Sequence, residues 1–203
     1  MLEGSHHKFI TEELDPDLLS TPFRVQTNWH VITGAPSSSK TTLINLMTDK
    51  GIPTVPEAAR KYIERGVAEA RTIDEMQENL ASFERDLIDY HLRFEHGLQA
   101  SDALFLDTAF PNAVTYCRIV GLDPNEFLAE CFHHRYASVF LLDRLPFQQD
   151  GVRFEDEVTA DFLDKWLARD YIALGYSIVR VPLLPPEERV AFILEKLSKQ
   201  GLT

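Results

Sequence analysis

The chain has little cysteine and no long apolar run. Its two cysteines, Cys117 and Cys131, are far apart and lie in no spacing typical of a metal site, so we expect buried, reduced thiols and a cytoplasmic protein. Hydrophobic residues make up 44% of the sequence, yet no apolar segment approaches the ~20 residues of a transmembrane helix. This composition argues against a disulfide-stapled domain and a disordered chain, and it predicts that no segment spans a membrane.

Positive charge is also scarce. Lysine and arginine number 20 against 32 aspartates and glutamates, which gives a net charge of −12. Because nucleic-acid backbones are bound by a surplus of basic residues, we do not expect general nucleic-acid binding. A small anionic ligand is compatible with this charge, since it needs only a few local cations and Mg²⁺.

Apolar, β-rich segments alternate with helical patterns along most of the chain. The predicted strands cover residues 29–33, 52–55, 103–106, 139–142 and 178–181. This alternation predicts an α/β fold with a mainly parallel sheet of five strands and helices on both faces. We expect one domain over residues 27–203, after an N-terminal arm over residues 1–26. The first residues of this arm resemble a cloning remnant and lack the apolar core of a signal peptide.

A polar loop between the first predicted strand and a helix carries the strongest functional signal. Residues 31–44 supply Gly34, Lys40 and Thr41 of the phosphate-binding pattern G-x-x-x-x-G-K-[ST]. Backbone N–H groups at a helix N-terminus bind anions, Lys40 would reach the terminal phosphates, and Thr41 would place its hydroxyl on Mg²⁺. The alternative is a polar turn that carries a lysine by chance. We predict that ATP or GTP binds at Gly34, Ala35, Pro36, Ser37, Ser38, Ser39, Lys40, Thr41 and Thr42.

The third predicted strand leads into a carboxylate, Asp107. Ligands of open α/β sheets bind at the carboxyl ends of the strands, so this pattern is typical of a Walker B aspartate that holds Mg²⁺ or accepts a proton. The alternative role is capping of the turn that begins at Pro111. We predict that Thr41 and Asp107 hold the metal and that Lys40 and Asp107 are catalytic.

Charged residues after the second and fourth predicted strands are candidate substrate contacts. Glu57 and Arg60 share one face of a helix at the sheet edge, where they could bind a hydroxyl and a phosphate of an acceptor; ordinary helix-opening chemistry is the alternative. Residues 144–158 resemble a lid, whose Arg144 and Arg153 could neutralise charge on the transferred phosphate. A solvated loop is the alternative there. We assign catalytic roles to Glu57 and Arg153, and substrate-binding roles to Glu57, Arg60 and Arg144.

The longest helical pattern carries one apolar stripe, from Ile73 to Leu98, with steps of three and four residues. We predict that this stripe is a core face, or a homodimer contact if the domain leaves it uncovered. The charged residues between the apolar positions, including Glu84 and Asp89, are expected in solvent.

The histidines are not expected to bind a metal ion. His91, Glu95 and His96 form the pattern H-x-x-x-E-H, which matches no zinc motif. His133 and His134 are adjacent at a helix end, where neighbouring side chains diverge, so solvent exposure or helix capping is expected.

Several of these segments occur together and in a fixed order. The phosphate loop is followed by V-P-E-A-A-R at residues 55–60, by Asp107 with Tyr116, by P-F-x-x-D-G-x-R at residues 146–153, and by Gly175-Tyr176 with Val181-Pro182. Over residues 29–197 the chain resembles the AAA-like P-loop domain family of NadR-like predicted ATPases and kinases. This resemblance implies a kinase-like P-loop NTPase fold that binds ATP or GTP at residues 34–42, with Mg²⁺ as cofactor.

The chain departs from the family pattern at three positions. Ser39 replaces the second glycine of the loop, although serine can begin a helix well. Thr108 stands where relatives commonly have an arginine, and Asn112 stands where an acid is common. Arg118 is the candidate to take over a catalytic role, and we predict that it contacts substrate.

Two classes of function are compatible with these motifs. One is Mg²⁺-dependent transfer of the γ-phosphoryl group of ATP or GTP to a small nucleoside-like acceptor, or hydrolysis of the nucleotide. The other is a nucleotide-dependent switch or a non-catalytic nucleotide-binding module. A Ras-like GTPase is disfavoured, because N-K-x-D is absent and Phe110 occupies the glycine position of D-x-x-G.

Overall fold

The computed structural model describes residues 8–68, 80–145 and 156–200, and helices alternate with strands over most of this part of the chain. The strands are β1 (Val25–Gln26), β2 (Trp29–Thr33), β3 (Thr54–Val55), β4 (Leu104–Asp107), β5 (His134–Arg135), β6 (Ser138–Leu142) and β7 (Ile178–Val181). The helices are α1 (Pro16–Leu19), α2 (Lys40–Asp49), α3 (Ala58–Ala68), α4 (Leu80–His96), α5 (Asn112–Val120), α6 (Glu157–Ala173) and α7 (Pro186–Gln200), and a 3₁₀ helix covers Pro124–Phe132.

Five of the strands form one sheet in the order β3-β4-β2-β6-β7, in which every pair is parallel. The predicted parallel sheet of five strands is therefore confirmed. All the predicted segments contribute a strand, although the second contributes only Thr54–Val55 at one edge. β2 lies in the middle, between β4 and β6, so the loop that follows it leaves the centre of the sheet.

Helices cover both faces of the sheet, because successive residues of the central strands point to opposite sides and are all buried. Val31 and Val139 belong to one apolar cluster, which includes Ile88 of α4 and further side chains of α5 and α6. Their neighbours Ile32 and Phe140 belong to a second cluster, with side chains of α2 and α7. Burial on both faces explains why these strands are largely hydrophobic, and the buried polar side chains of His30 and Ser138 share a hydrogen bond of 2.8 Å.

Only part of the apolar stripe on α4 is a core face. Leu98 packs against the core, whereas Phe83 and Tyr90 contact Tyr62 of α3. α4 meets the core mainly through Ile88 and Leu92, which lie beside the predicted stripe. The beginning of the stripe, at residues 73–79, lies outside the described residues. The homodimer stays a prediction.

The N-terminal segment packs against the rest of the domain from residue 8 onward. Leu14 is buried, β1 pairs with β5, and the backbone N–H of Ile10 donates to the carbonyl of Arg118 at 3.0 Å. The boundary between residues 26 and 27 stays a prediction.

The composition of the sequence led us to expect buried, reduced cysteines and no membrane-spanning segment. Cys117 and Cys131 carry free thiols, and both residues are buried. Among the described helices, none combines the length and the apolar character that crossing a membrane requires.

Candidate active site

The loop between β2 and α2 begins with a close backbone approach. β2 ends at Thr33, and α2 begins at Lys40. A Cβ atom on Gly34 would lie 2.7 Å from Oγ of Ser38 and 3.3 Å from Cβ of Leu142, so glycine alone fits without a shift of its neighbours. This geometry explains the first glycine of the sequence motif.

Serine occupies left-handed backbone positions in the same loop. Ser37 has a φ of 65°, and Ser39 has a φ of 60° and a ψ of 28°. Glycine adopts these angles at no steric cost, which accounts for the second glycine of the usual motif. Ser39 is the N-cap residue of α2, but its side chain makes no capping hydrogen bond. It begins the helix through its carbonyl, which accepts the N–H of Leu43 at 3.1 Å.

Two segments that are distant in sequence hold this loop. Arg189 of α7 is 3% exposed, and its Nη1 donates to the carbonyl of Ser38 at 2.8 Å. Its other guanidinium nitrogens donate to two carbonyls at the ends of β6 and β7. The N–H of Leu145 donates to the carbonyl of Ser37 at 2.9 Å. Sequence motifs gave no indication of the role of Arg189, because it lies 151 positions from Ser38.

Asp107 lies at the carboxyl end of β4, close to Lys40. Its side chain is 6% exposed, and its Oδ1 lies 3.9 Å from Nζ of Lys40. Burial raises the pKa of Asp107 from its ordinary value of 3.8 to about 6, against the opposing effect of Lys40. Glu57 raises this pKa further, and Arg60 lowers it. A carboxyl group with a pKa near neutrality can either carry charge or take up a proton under physiological conditions.

The residues around Asp107 fit a magnesium ion. Oδ1 of Asp107 is buried without a hydrogen-bond partner. Mg²⁺ prefers oxygen ligands and usually retains several waters, so a single carboxylate with one hydroxyl is a suitable protein contribution. The hydroxyl-bearing Thr41 lines the same cavity as Lys40. Thr41 and Asp107 are therefore the residues that could hold the ion.

A cavity of about 310 Å³ extends from the loop between α3, α4 and α5. The residues around it include Gly34, Pro36, Lys40, Thr41, Glu57, Arg60, Ile63, Phe83, Glu84, Leu87, Ile88, His91, Thr108, Asn112 and Tyr116. Of the other predicted nucleotide-binding positions, four form the backbone of the loop and one lies in the first turn of α2: Ala35, Ser37, Ser38, Ser39 and Thr42. The structure thus brings the loop and the predicted acceptor contacts Glu57 and Arg60 to one cavity.

Glu84 corrects an expectation from the sequence. It was expected in solvent, but it is 5% exposed and lines the cavity. The expectation was wrong because α4 lies over a cavity, so a residue beside the apolar stripe faces enclosed space. The sequence spacing does indicate that Glu84 shares a helix face with buried residues. Steps of three and four residues place four side chains on this face: Glu84, Ile88, His91 and Glu95.

Glu95 joins the cavity wall to the core. Its Oε1 lies 3.1 Å from Nε2 of His91 and accepts the N–H of Phe110 at 2.8 Å, while Oε2 accepts the hydroxyl of Tyr136 at 2.7 Å. Burial by itself raises the pKa of Glu95, but interactions with His134, His91 and Tyr136 lower it to about 2. The carboxylate is therefore charged at physiological pH and holds His91 in place at the cavity.

Asn112 is buried between the sheet and α6. It exchanges hydrogen bonds with the hydroxyl of Thr33, and its Oδ1 accepts the hydroxyl of Tyr171 at 2.8 Å. These hydrogen bonds satisfy the side-chain amide of Asn112 and fix its position at the cavity wall. Thr108 also lines the cavity and has a left-handed φ of 66°.

Arg118 lies in the core, away from the residues that line the cavity. Its Nε and Nη2 donate to Asp170 at 3.0 and 2.8 Å, and its Nη1 donates to the carbonyls of Ile10 and Glu12. The guanidinium is completely buried and lies 4.1 Å from the ring centre of Trp166. The expected substrate contact of Arg118 is therefore corrected to a structural role: it joins α5, α6 and the N-terminal segment.

The other two predicted arginines follow β6. Arg144 pairs with Asp161 of α6 and is next to Leu145, which contacts the phosphate loop. Nε of Arg144 is buried without a hydrogen-bond partner. Arg153 and most of the predicted lid, at residues 146–155, lie outside the described residues.

A model of the family described as an AAA domain matches residues 29–189. No curated protein matches the chain. Among solved structures, deoxyadenosine kinase from M. mycoides with products dCMP and dCDP has a TM-score of 0.59 at 13% identity, over 84% of this chain and 98% of that chain. A structure of the same enzyme with dCTP has a TM-score of 0.55 at 10% identity, over 84% and 99%. NadR in complex with NR has a TM-score of 0.54 at 22% identity, over 76% of this chain but 45% of that chain.

The parallel sheet and the loop between β2 and α2 define a P-loop NTPase fold of the kinase-like type. Because the family model covers most of the sequence, the chain belongs to the AAA domain family. The family resemblance of the sequence motifs is thereby confirmed. The fold supports nucleotide binding and phosphoryl transfer in general, whereas the low identities leave the substrate open.

Proposed function

We propose that the protein transfers the γ-phosphoryl group of ATP or GTP to a hydroxyl of a small, nucleoside-like acceptor, with Mg²⁺ as cofactor. The proposal rests on the cavity of about 310 Å³ that begins at Lys40 and Thr41 and continues between three helices. Hydrolysis needs only a water molecule beside the γ-phosphate, whereas this volume suits a small-molecule ligand. The ligands named for the neighbouring structures, dCMP, dCDP and NR, support an acceptor of this class.

The nucleotide end of the proposed site is the loop at residues 34–42. Its backbone N–H groups and the N-terminus of α2 would hold the phosphates, and Lys40 would bind the β and γ phosphates. Thr41 and Asp107 would hold Mg²⁺, which when bound neutralises charge on the phosphates. Arg144 and Arg153 would add positive charge from the segment after β6.

The acceptor end combines an apolar wall with carboxylates. Phe83, Leu87 and Ile88 would pack against a base, while Glu57 and Glu84 would accept hydrogen bonds from sugar hydroxyls. We assign the removal of the proton from the attacking hydroxyl to Glu57, because Glu57 lines the same cavity as Lys40. Asp107 is the alternative general base. Arg60 would bind a charged group of the acceptor.

The second candidate is a nucleotide-binding module without turnover. The left-handed serine Ser39 favours it, because a Cβ atom stands where glycine usually permits close approach of phosphate. Asn112 also lacks the charge that is common at its position in the family. A nucleotide-dependent switch would share these features.

The deciding experiment combines nucleotide titration with a transfer assay. Calorimetry measures the binding of ATP and GTP with and without Mg²⁺, and chromatography then measures phosphorylated product across a panel of nucleosides. Binding with acceptor-dependent product supports the kinase. Binding with neither product nor phosphate release supports the module, and phosphate release that no acceptor changes supports hydrolysis. No binding of either nucleotide rejects all three.

Matched variants separate the two ends of the proposed site. Lys40→Ala should remove nucleotide binding, whereas Lys50→Ala, at the exposed end of the same helix, should not. Glu84→Gln should raise the acceptor KM with little effect on the nucleotide, whereas Asp89→Asn on the exposed side of α4 should change neither. Equal effects of Glu84→Gln and Asp89→Asn on the acceptor KM would refute the proposal that Glu84 binds the acceptor.

The cellular setting is part of the proposal. We propose a cytoplasmic protein, supported by two buried free thiols, and a site for small molecules without general nucleic-acid binding, supported by the net charge of −12. A homodimer remains a proposal that sedimentation can test.

A further inference from the structure

Three histidines from different elements meet at one place on the surface. His96 ends α4, His133 caps the end of the 3₁₀ helix, and His134 begins β5. Each offers a ring nitrogen, and these nitrogens lie within 4.8 Å of one another. The ring centres of His96 and His133 are 4.1 Å apart, and those of His133 and His134 are 4.5 Å apart.

The adjacent pair converges because the backbone changes direction between its two members. His133 has helical angles, φ −67° and ψ −47°, while His134 lies in an extended strand. The rule that neighbouring side chains diverge holds within one helix and does not apply across this junction. The expectation that His133 and His134 point apart was therefore wrong.

We propose that His96, His133 and His134 bind a divalent transition-metal ion, for which Zn²⁺ is the best fit. Neutral imidazole nitrogens suit Zn²⁺, whereas Mg²⁺ requires oxygen ligands. Zn–N bonds of about 2.0 Å at a tetrahedral centre place ligand nitrogens about 3.3 Å apart. His96 is exposed and His133 is half-buried, so modest rotations of these side chains can close the remaining distance, and water can occupy the fourth position.

A carboxylate behind the cluster supports the proposal. Nδ1 of His134 lies 3.7 Å from Oε2 of Glu95, and this oxygen accepts the hydroxyl of Tyr136. Histidine ligands of metals commonly have a carboxylate at the second ring nitrogen, which fixes the orientation of the ring. In such an arrangement Nε2 of His134 faces the ion. The site is separate from the nucleotide loop, but Glu95 also contacts His91 at the cavity wall.

The test is Zn²⁺ titration of the full chain by calorimetry, with Co²⁺ absorption spectra as a measure of imidazole coordination. We expect one high-affinity ion per chain. His96→Ala and His133→Ala should each weaken binding by at least ~10-fold, since loss of groups that merely support a metal ligand costs ~10–100-fold. Both residues are accessible, so their loss should leave the fold intact, which circular dichroism verifies.

The matched control removes the other adjacent pair of histidines. His6→Ala with His7→Ala in the same chain should leave the high-affinity binding unchanged. If this control abolishes binding while His96→Ala does not, the ion belongs to the N-terminal pair and the proposal is rejected. Absence of Zn²⁺ binding to the unaltered chain, or unchanged affinity in both cluster variants, also rejects it.

Discussion

Replacement of Asp107 by asparagine should make the protein more stable and weaken the proposed Mg²⁺-dependent nucleotide binding. Asp107 is 6% exposed, its Oδ1 has no hydrogen-bond partner, and Lys40 is 3.9 Å away. Burial therefore disfavours the charged form and raises its pKa from 3.8 to about 6. Asparagine has nearly the same shape without the charge, so it removes this electrostatic cost.

The magnitude follows from the pKa difference. One pKa unit corresponds to about 1.4 kcal/mol, so the rise in the pKa of Asp107 from 3.8 to about 6 corresponds to about 3 kcal/mol. Below the lower pKa, the carboxyl is protonated in the folded and the unfolded chain, and the cost vanishes. As the pH rises to about 6, the unfolded chain releases the proton first, so the free energy of unfolding falls. Above that pH the full cost applies.

The assay is urea denaturation of both proteins at about pH 7 and about pH 3, which lie above and below both pKa values, so that the linkage predicts opposite limits. The variant should gain up to about 3 kcal/mol in the free energy of unfolding at the higher pH and almost nothing at the lower pH. Calorimetry should show weaker binding of ATP with Mg²⁺. A variant that is less stable near pH 7, or a gain that is equal at both pH values, would refute burial as the cause.

Three further substitutions test other parts of the structure. Arg118→Met leaves the buried charge of Asp170 without its partner and should lower the free energy of unfolding by about 3–5 kcal/mol, while the nucleotide affinity of the folded fraction stays the same. Glu95→Gln should lower the free energy of unfolding by up to about 3 kcal/mol near neutral pH, because the pKa of Glu95 is lowered from 4.5 to about 2. This loss of stability should shrink as the pH falls from the higher to the lower of these two values. Ser39→Gly should change the free energy of unfolding by less than about 1 kcal/mol. Glycine relieves the strain of the left-handed backbone angle, which stabilises the folded chain, but it also gives the unfolded chain more freedom, which opposes this gain. The same substitution should strengthen nucleotide binding.

For each of these three predictions, one result would contradict the reasoning. Unchanged denaturation of Arg118→Met would show that the pair with Asp170 adds nothing. A constant loss for Glu95→Gln across pH would show that lost packing outweighs lost charge. Weaker nucleotide binding by Ser39→Gly, measured by calorimetry, would show that the serine side chain contributes to the site.

The sheet could be predicted because its signal is local. Each central strand is a short run of apolar residues, such as residues 139–142, and burial on both faces requires such runs. The conformation of the loop between β2 and α2 was also predictable, because Gly34 lies at a close backbone approach and Lys40 begins a helix. Local sequence contains the information needed for a strand, a loop and a helix start.

Other site residues depend on contacts that the sequence does not reveal. Glu84 was assigned to solvent because its neighbours on α4 are charged, and only the position of α3 opposite creates the enclosed cavity. Arg118 was expected at the substrate because Thr108 and Asn112 depart from the family pattern, yet its partner Asp170 lies 52 residues later. Such pairings depend on how helices pack, and that is determined by the whole fold.

The contact between Arg189 and the carbonyl of Ser38 has a consequence for synthesis of the chain. The guanidinium that holds the loop lies 151 residues after the carbonyl that it contacts. A nascent chain that stops short of Arg189 contains the whole motif of residues 34–41 without this support. The loop therefore takes its final conformation only after residue 189 has left the ribosome, so we expect a product terminated before Arg189 to lack the nucleotide binding proposed for this loop.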